Sequence, residues 1–378
     1  MEILEDYVLW MEDYPCSLIG FREADALVLC LLSYIDYSPL FESSHGTVRL
    51  RDSLQMLRSG RAKAEIAGSG EEFMHILELA AKSERYGGLI LEDYQNILRD
   101  DPLQFSAVCF HDDTWSFITF RGTDSSLAGW REDFMISFTR TEAQALALQY
   151  AQKHLRPDRV WYMGGHSKGG NEALYAACLL PDEQWQCLKR LYLLDCPGLC
   201  PEVSDLSLMK RVDEKTTRII PEYSIVGKLF EPEISDTRIV KSSASGFQQH
   251  NLSTWGIDHG KLAATAKNDP KSLWINEILD RWIGGISQEE RPVFVNELFD
   301  ALASGGAETL DDIGKGKREG LEAIVKNLRG SSEITRRAIS ELPRQMFRQG
   351  IDQLKQVKQI VEESAENREK YGNPQENL

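Results

Sequence analysis

The chain has 378 residues, 42% of them hydrophobic, and its 59 Asp and Glu against 43 Lys and Arg leave a net charge of −16. That length is enough for a large core plus an appendage, and the acidic balance argues against a nucleic acid as the main partner. Seven cysteines with no Cys-x-x-Cys pair imply neither a disulfide framework nor a zinc knuckle.

In chain order, Met1 to Gly20 is acidic and lacks a basic stretch followed by an apolar one, so no secretory signal is expected. The longest apolar run, Ala26 to Leu32, is far shorter than the ~20 residues a membrane span needs. These features predict a reduced, cytoplasmic protein with no transmembrane segment, and leave open export without a cleaved signal. Residues 1–100 read as a helical flank or cap, with apolar runs over Ala24 to Tyr34 and Phe73 to Ala81. Gln104 to Phe120 shows two strand-like runs around His111-Asp112-Asp113, a hairpin turn, with Trp115, Phe117 and Phe120 as core residues.

From Arg159 onward, strand and helix signals alternate. Strands are expected at Arg159 to Met163, Arg190 to Leu194, Thr217 to Ile220 and Thr237 to Val240. Such alternation predicts a mainly parallel sheet covered by helices on both faces, with active residues at the carboxyl ends of the strands. We therefore expect an α/β fold with its core over 101–260 and a helical extension over 261–378, broken at Ser304-Gly305-Gly306 and Gly330-Ser331-Ser332. Ile351, Leu354, Val357 and Val361 form an apolar stripe at helical spacing. Lys315 to Lys358 carries eleven basic and five acidic residues. The simpler reading is an arm that neutralises its own acidic body; the other is a peripheral contact with an anionic membrane surface or another subunit.

The densest chemical signal is Arg159 to Leu174, RVWYMGGHSKGGNEAL. Gly165-His166-Ser167-Lys168-Gly169 lies between a strand-like run and a helix-forming stretch, the context that gives Gly-x-Ser-x-Gly meaning as a nucleophile elbow. Glycines two residues either side of Ser167 let the chain cross itself while the hydroxyl projects from the sheet edge. The first helical residue, Lys168, would present its amide to a developing oxyanion. A glycine-rich turn that only connects the sheet is the alternative, although no dinucleotide or P-loop spacing fits.

A serine nucleophile needs an imidazole base, and the base needs an orienting carboxylate. In this fold the order along the chain is serine, acid, histidine. Only His250 and His259 follow Ser167. His250 is the base by its place just after the last strand signal, with His259 as the second candidate and His166 assigned to packing and hydrogen bonding. For the acid, Asp195 ends one strand and Glu222 follows the next; Asp236 and Asp213 stand behind them. Phe120-Arg121-Gly122-Thr123 closes a strand, and Thr123 can supply the second oxyanion donor. An Arg121–Asp133 pair near Trp130 would brace that loop.

In order along the chain, FRGTDSS, W-x-x-D, GHSKGG and a late His250 before Trp255 resemble the class 3, fungal-type lipases. Asp6 to Trp10, Asp25 to Leu29, Leu32-Ser33-Tyr34, GHSKGGN and QHNLSTW are similar to the bacterial Mbeg-like family, a lipase-related domain, over about residues 1–260. The resemblance implies an α/β-hydrolase fold, Ser167 as nucleophile, His250 as base, and the Thr123 and Lys168 amides as oxyanion hole. Two departures stand out. Ser224-Ile225-Val226 has serine where the lipase pattern has its acid, which favours Asp195. Lys168 replaces the usual leucine, its side chain extending into solvent or contacting an anionic headgroup or a nearby carboxylate.

The implied activity is hydrolysis of a carboxylic ester, of a small molecule or a lipid, or of a thioester, through an acyl-enzyme, with no cofactor and no metal. A catalytically weak or inactive hydrolase-fold scaffold is the competing reading.

Overall fold

The computed structural model describes residues 2–44, 47–64, 70–99, 103–123, 140–199 and 206–266 and, with gaps, 131–136 and 268–340; residues 341–378 lie outside it. Among the described residues eleven strands are formed: β1 (Val48–Arg49), β2 (Ile90–Arg99), β3 (Leu103–His111), β4 (Trp115–Phe120), β5 (Val160–His166), β6 (Leu188–Leu194), β7 (Thr216–Pro221), β8 (Thr237–Val240), β9 (Ile257–Asp258), β10 (Lys261–Leu262) and β11 (Ala264–Thr265). Nine of them make one sheet in the order β1-β2-β3-β4-β5-β6-β7-β8-β11, and β9 and β10 form a separate pair. From β4 to β8 the pairing is parallel; β1 to β4 and β8 with β11 pair antiparallel.

The expected α/β architecture is therefore present. Each crossover places a helix on a face of the sheet, and strand alternation divides the side chains between two cores. On one face, Phe117, Leu194 and Ile219 pack under the N-terminal helices Leu4–Trp10, Glu23–Leu32 and Gly70–Lys82. On the other, Phe105, Ile118 and Leu193 pack under the helices Glu142–His154 and Lys168–Leu179. The first of these starts with a capping box: Thr141 accepts from the Gln144 amide at 3.3 Å and the Gln144 side chain accepts from the Thr141 amide at 3.0 Å.

The expectation of a purely helical segment up to residue 100 is corrected by β1 and β2. β2 pairs with β3 from Ile90↔His111 to Arg99↔Leu103, with a register shift between Glu92 and Gln95. That bulge, with Asp93 at φ 53°, breaks the apolar–polar alternation by which the strand would be recognised. The sheet likewise runs past residue 260, since β11 lies at Ala264–Thr265.

The helices Arg291–Ser304 and Arg318–Gly330 end at the two breaks expected from the glycine and serine clusters. Phe294, Val295 and Phe299 form a third core with Val226 and Leu229 of the loop after β7. Among the described residues, no helix is long and apolar enough to cross a membrane. The stripe at Ile351, Leu354, Val357 and Val361 lies outside the described residues.

Candidate active site

At the end of β5 the chain turns directly into the helix Lys168–Leu179, and Ser167 takes φ 55°, ψ −129° as its N-cap. A side chain gains nothing in this region of backbone space, and positions held there cost about 1–3 kcal/mol unless the surroundings enforce them. Here they do. A Cβ on Gly165 would overlap the backbone of Gly169, and one on Gly169 would overlap the Phe120 carbonyl, so both crossings require glycine. The Ser167 amide donates to the Leu194 carbonyl at 3.0 Å, tying the turn to β6.

The next strand ends at Leu194, and Asp195 follows in a left-handed conformation, φ 40°. Its amide donates to the Ile219 carbonyl of β7 at 2.8 Å. The carboxylate is buried, 1% exposed, and each oxygen is engaged. Oδ1 accepts from Ser224 Oγ at 2.5 Å and from the Gly227 amide at 3.1 Å. Oδ2 accepts from His250 Nδ1 at 2.6 Å. With that proton on Nδ1, the other ring nitrogen, Nε2, accepts from Ser167 Oγ at 3.1 Å. The structure thus brings Ser167, His250 and Asp195 into one hydrogen-bonded series.

The remaining candidates lie apart from it. Both His250 ring nitrogens are engaged by Asp195 and Ser167. Glu222 sits past β7, its amide bonded to the Val240 carbonyl at 3.2 Å and its carbonyl to the Asp269 amide at 2.7 Å. Asp236 accepts from Thr217 and Arg238, and Asp213 caps Ser235. His259 is exposed between β9 and β10 and pairs with its neighbour Asp258 at 2.5 Å.

The segment after β4 passes over the nucleophile. A Cβ on Gly122 would fall 2.7 Å from the His166 carbonyl oxygen and 3.1 Å from Ser167 Cβ, and would overlap the Tyr34 hydroxyl. Thr123 follows, buried at 7% exposure. Arg121 anchors the segment from below, its amide on the Ser106 carbonyl at 2.9 Å and its guanidinium on Asn96 Oδ1 at 3.2 Å. Trp130 and Asp133 lie outside the described residues, and with them the expected Arg121–Asp133 pair.

Lys168 differs from two of its three expectations. Its side chain is 1% exposed, donates to the Gln104 carbonyl and pairs with Glu172 Oε1 at 3.7 Å, one turn along the same helix. It extends neither into solvent nor toward a headgroup, because the helix turns that face onto β3. Substituting Lys168 by leucine removes the cation beside a buried carboxylate. We expect a loss of about 3 kcal/mol in urea unfolding, and a smaller loss when Glu172 is also made apolar.

Two supports were not assigned from sequence, and a third, His166, takes the packing and hydrogen-bonding role expected of it. Asn171, one turn into the elbow helix, donates to the Pro197 and Gly198 carbonyls at 3.3 and 2.8 Å and accepts from Gln144 at 2.9 Å, which holds the loop beyond Asp195. Ser224, flagged only as a departure, is the hydroxyl that holds the Asp195 carboxylate. His166 bonds to Tyr34 and to the His250 carbonyl. Burial, followed by the nearby His250, holds the His166 imidazole well below its ordinary pKa. Burial also pushes the neighbouring Cys196 thiol up to about 12, so it stays protonated and inert. Among the described residues, no group of three or more His, Cys, Asp and Glu side chains is placed to hold a metal ion.

A mainly parallel sheet flanked by helices, with a serine on the strand-to-helix turn, defines a domain of the α/β-hydrolase type. The Mbeg1-like family model matches residues 80–300, and the chain belongs to that family. Two solved structures are similar. The M37 lipase is 15% identical with a TM-score of 0.34, the match covering 55% of this chain and 70% of that one. The lipase from Rhizopus microsporus var. chinensis is 17% identical with a TM-score of 0.32, covering 53% and 71%. No curated protein sequence matches significantly.

Proposed function

We propose that the protein is a serine hydrolase of carboxylic esters, acting on a small-molecule or lipid ester or a thioester. The observation that carries this reading is the unbroken series Asp195–His250–Ser167, with bonds of 2.6 and 3.1 Å. A hydroxyl is a weak nucleophile at neutral pH, and an imidazole at its oxygen removes the proton as the bond to carbon forms. In this scheme Ser167 Oγ attacks the carbonyl carbon while His250 Nε2 takes its proton. Asp195 holds the Nδ1–H tautomer and offsets the charge of the imidazolium.

The carbonyl oxygen, now negative, is received by the amides of Lys168 and Thr123. Lys168 opens the elbow helix, where amides lack intrahelical partners and the helix dipole is positive. Gly122 packs closely over Ser167, which supports its chain neighbour Thr123 as the second donor. His250 then gives its proton to the leaving alcohol or thiol, an acyl-Ser167 ester remains, and a water activated by His250 releases the acid. No cofactor or metal enters this scheme. The six described cysteines are free thiols, in keeping with a reduced cytoplasmic setting.

The test is a series of p-nitrophenyl esters of increasing acyl length. Turnover of at least one member that disappears in Ser167→Ala is the expected result. Turnover retained in Ser167→Ala would assign it to another residue, and an inert folded protein would favour the scaffold reading.

A further inference from the structure

The reaction scheme above uses His250 through its ring, but the residue is also held by its main chain. His166 Nε2 lies 2.9 Å from the His250 carbonyl oxygen. A carbonyl can only accept, so Nε2 carries the proton, and His166 Nδ1 is bare. That bare nitrogen lies 2.8 Å from the Tyr34 hydroxyl, which must therefore donate. The directions of both bonds follow from this one constraint: the His250 carbonyl sets the tautomer, and the Tyr34 hydroxyl, which can donate or accept, donates to the nitrogen left bare.

The two imidazoles also pack against each other, ring centroids 4.4 Å apart at 37°. Tyr34 is itself confined. It follows the helix Glu23–Leu32, is 1% exposed, and meets Phe73 edge-on at 5.6 Å. Its hydroxyl fills the space that a side chain at Gly122 would need. One oxygen atom thus touches the segment proposed to bear an oxyanion donor and the histidine that grips the base.

We propose that Tyr34 and His166 are positioning residues: the Tyr34 hydroxyl anchors the His166 ring through Nδ1, and His166 Nε2–H holds the His250 main chain so that its ring faces Ser167. This rests on the hydrolase reading for its kinetic consequence, but not for its geometric one. The helical N-terminal layer is then part of the active-site support rather than only a cover for the sheet. An imidazole that rotates away from Ser167 loses the near-attack geometry on which the serine depends.

The experiment compares wild type with Tyr34→Phe, which deletes one oxygen and keeps the ring. In protein labelled with 15N at histidine imidazoles, His166 should show a protonated Nε2 and a bare Nδ1 from about pH 5 to about pH 8. In Tyr34→Phe the ring loses one of its two anchors, so the His166 Nδ1 resonance should shift and the His250 Nδ1–H resonance should broaden. The kcat on the best ester and the fluorophosphonate labelling rate should fall about tenfold, with KM within about twofold. His166→Gln, whose amide can make both bonds, should retain most of the rate that His166→Ala loses.

Unchanged His166 Nδ1 and His250 Nδ1–H resonances in Tyr34→Phe overturn the proposal, as does a full rate in His166→Ala. If wild type neither turns over nor labels, the hydrolase reading falls by itself. The two resonances then decide positioning alone: a broadened His250 signal in Tyr34→Phe supports it, and an unchanged one refutes it.

Discussion

Asp195→Asn is expected to lower kcat on any ester the protein hydrolyses by about 10³–10⁴-fold with little change in fold. The side chains have the same shape, and the pocket formed by Ser224 and the Gly227 amide remains. Those two donors require an acceptor, so the amide oxygen takes that side and its NH₂ faces His250 Nδ1. His250 must then carry its proton on Nε2, toward Ser167, where it cannot act as base. The pH profile carries the same signature: activity should partly return at high pH, where hydroxide can replace the base. Glu222→Gln is the matched comparison, since Asp195 and Ser167 already engage both His250 ring nitrogens, and its rate should stay within about twofold of wild type. The reverse ranking would move the acid from β6 to β7.

The largest loss of stability is expected at Asp25, on the helix Glu23–Leu32. Its carboxylate is fully buried and accepts from Arg85 Nε at 2.8 Å and Arg85 Nη2 at 2.5 Å, from the Tyr7 and Tyr86 hydroxyls at 3.0 and 2.6 Å, and from the Arg22 amide at 2.6 Å. Burial, reinforced by the carboxylate, pushes both phenols above their ordinary pKa, so both remain donors. Arg85 also donates to the Tyr14 and Gly20 carbonyls at 3.0 and 2.8 Å, which ties the first turns of the chain to the helix bearing Tyr34. Asp25→Ala leaves a guanidinium and two hydroxyls buried without that acceptor. Urea unfolding should show a loss of up to about 5 kcal/mol, and replacing Asp25 and Arg85 together by apolar residues should cost less than Asp25→Ala alone. A loss under about 1 kcal/mol would mean that water or a neighbouring acceptor takes over the donors.

How far the sequence reveals this molecule depends on whether the signal is local. The elbow is local: a strand, a serine flanked by glycines and a helix lie within sixteen residues, Arg159 to Leu174, and the structure places each at the expected point. β5 to β8 were legible for the same reason, as short runs rich in β-branched, aromatic and leucine residues between helix signals. β2 was not, since its bulge shifts the side-chain alternation halfway along. At the site, Asp195 and His250 could be named from strand ends. The sequence favoured Asp195 and kept Glu222 as the alternative, because both follow strand ends and only the packed fold shows which carboxylate meets His250 Nδ1. Tyr34 lies 132 residues from His166, a contact visible only in the packed fold, although the Leu32-Ser33-Tyr34 motif had marked the position. Lys168 shows the converse. A lysine in sequence suggests solvent, and only the fold reveals that Glu172 and the Gln104 carbonyl enclose its charge.

The central claim is that Ser167 is an activated nucleophile, and covalent labelling by a fluorophosphonate tests it most directly. Incubation of the folded protein followed by intact-mass analysis and peptide mapping should find a single adduct, on Ser167, with none in Ser167→Ala and a strongly reduced rate in Asp195→Asn. An adduct on another residue, or none on folded wild-type protein, would contradict the account.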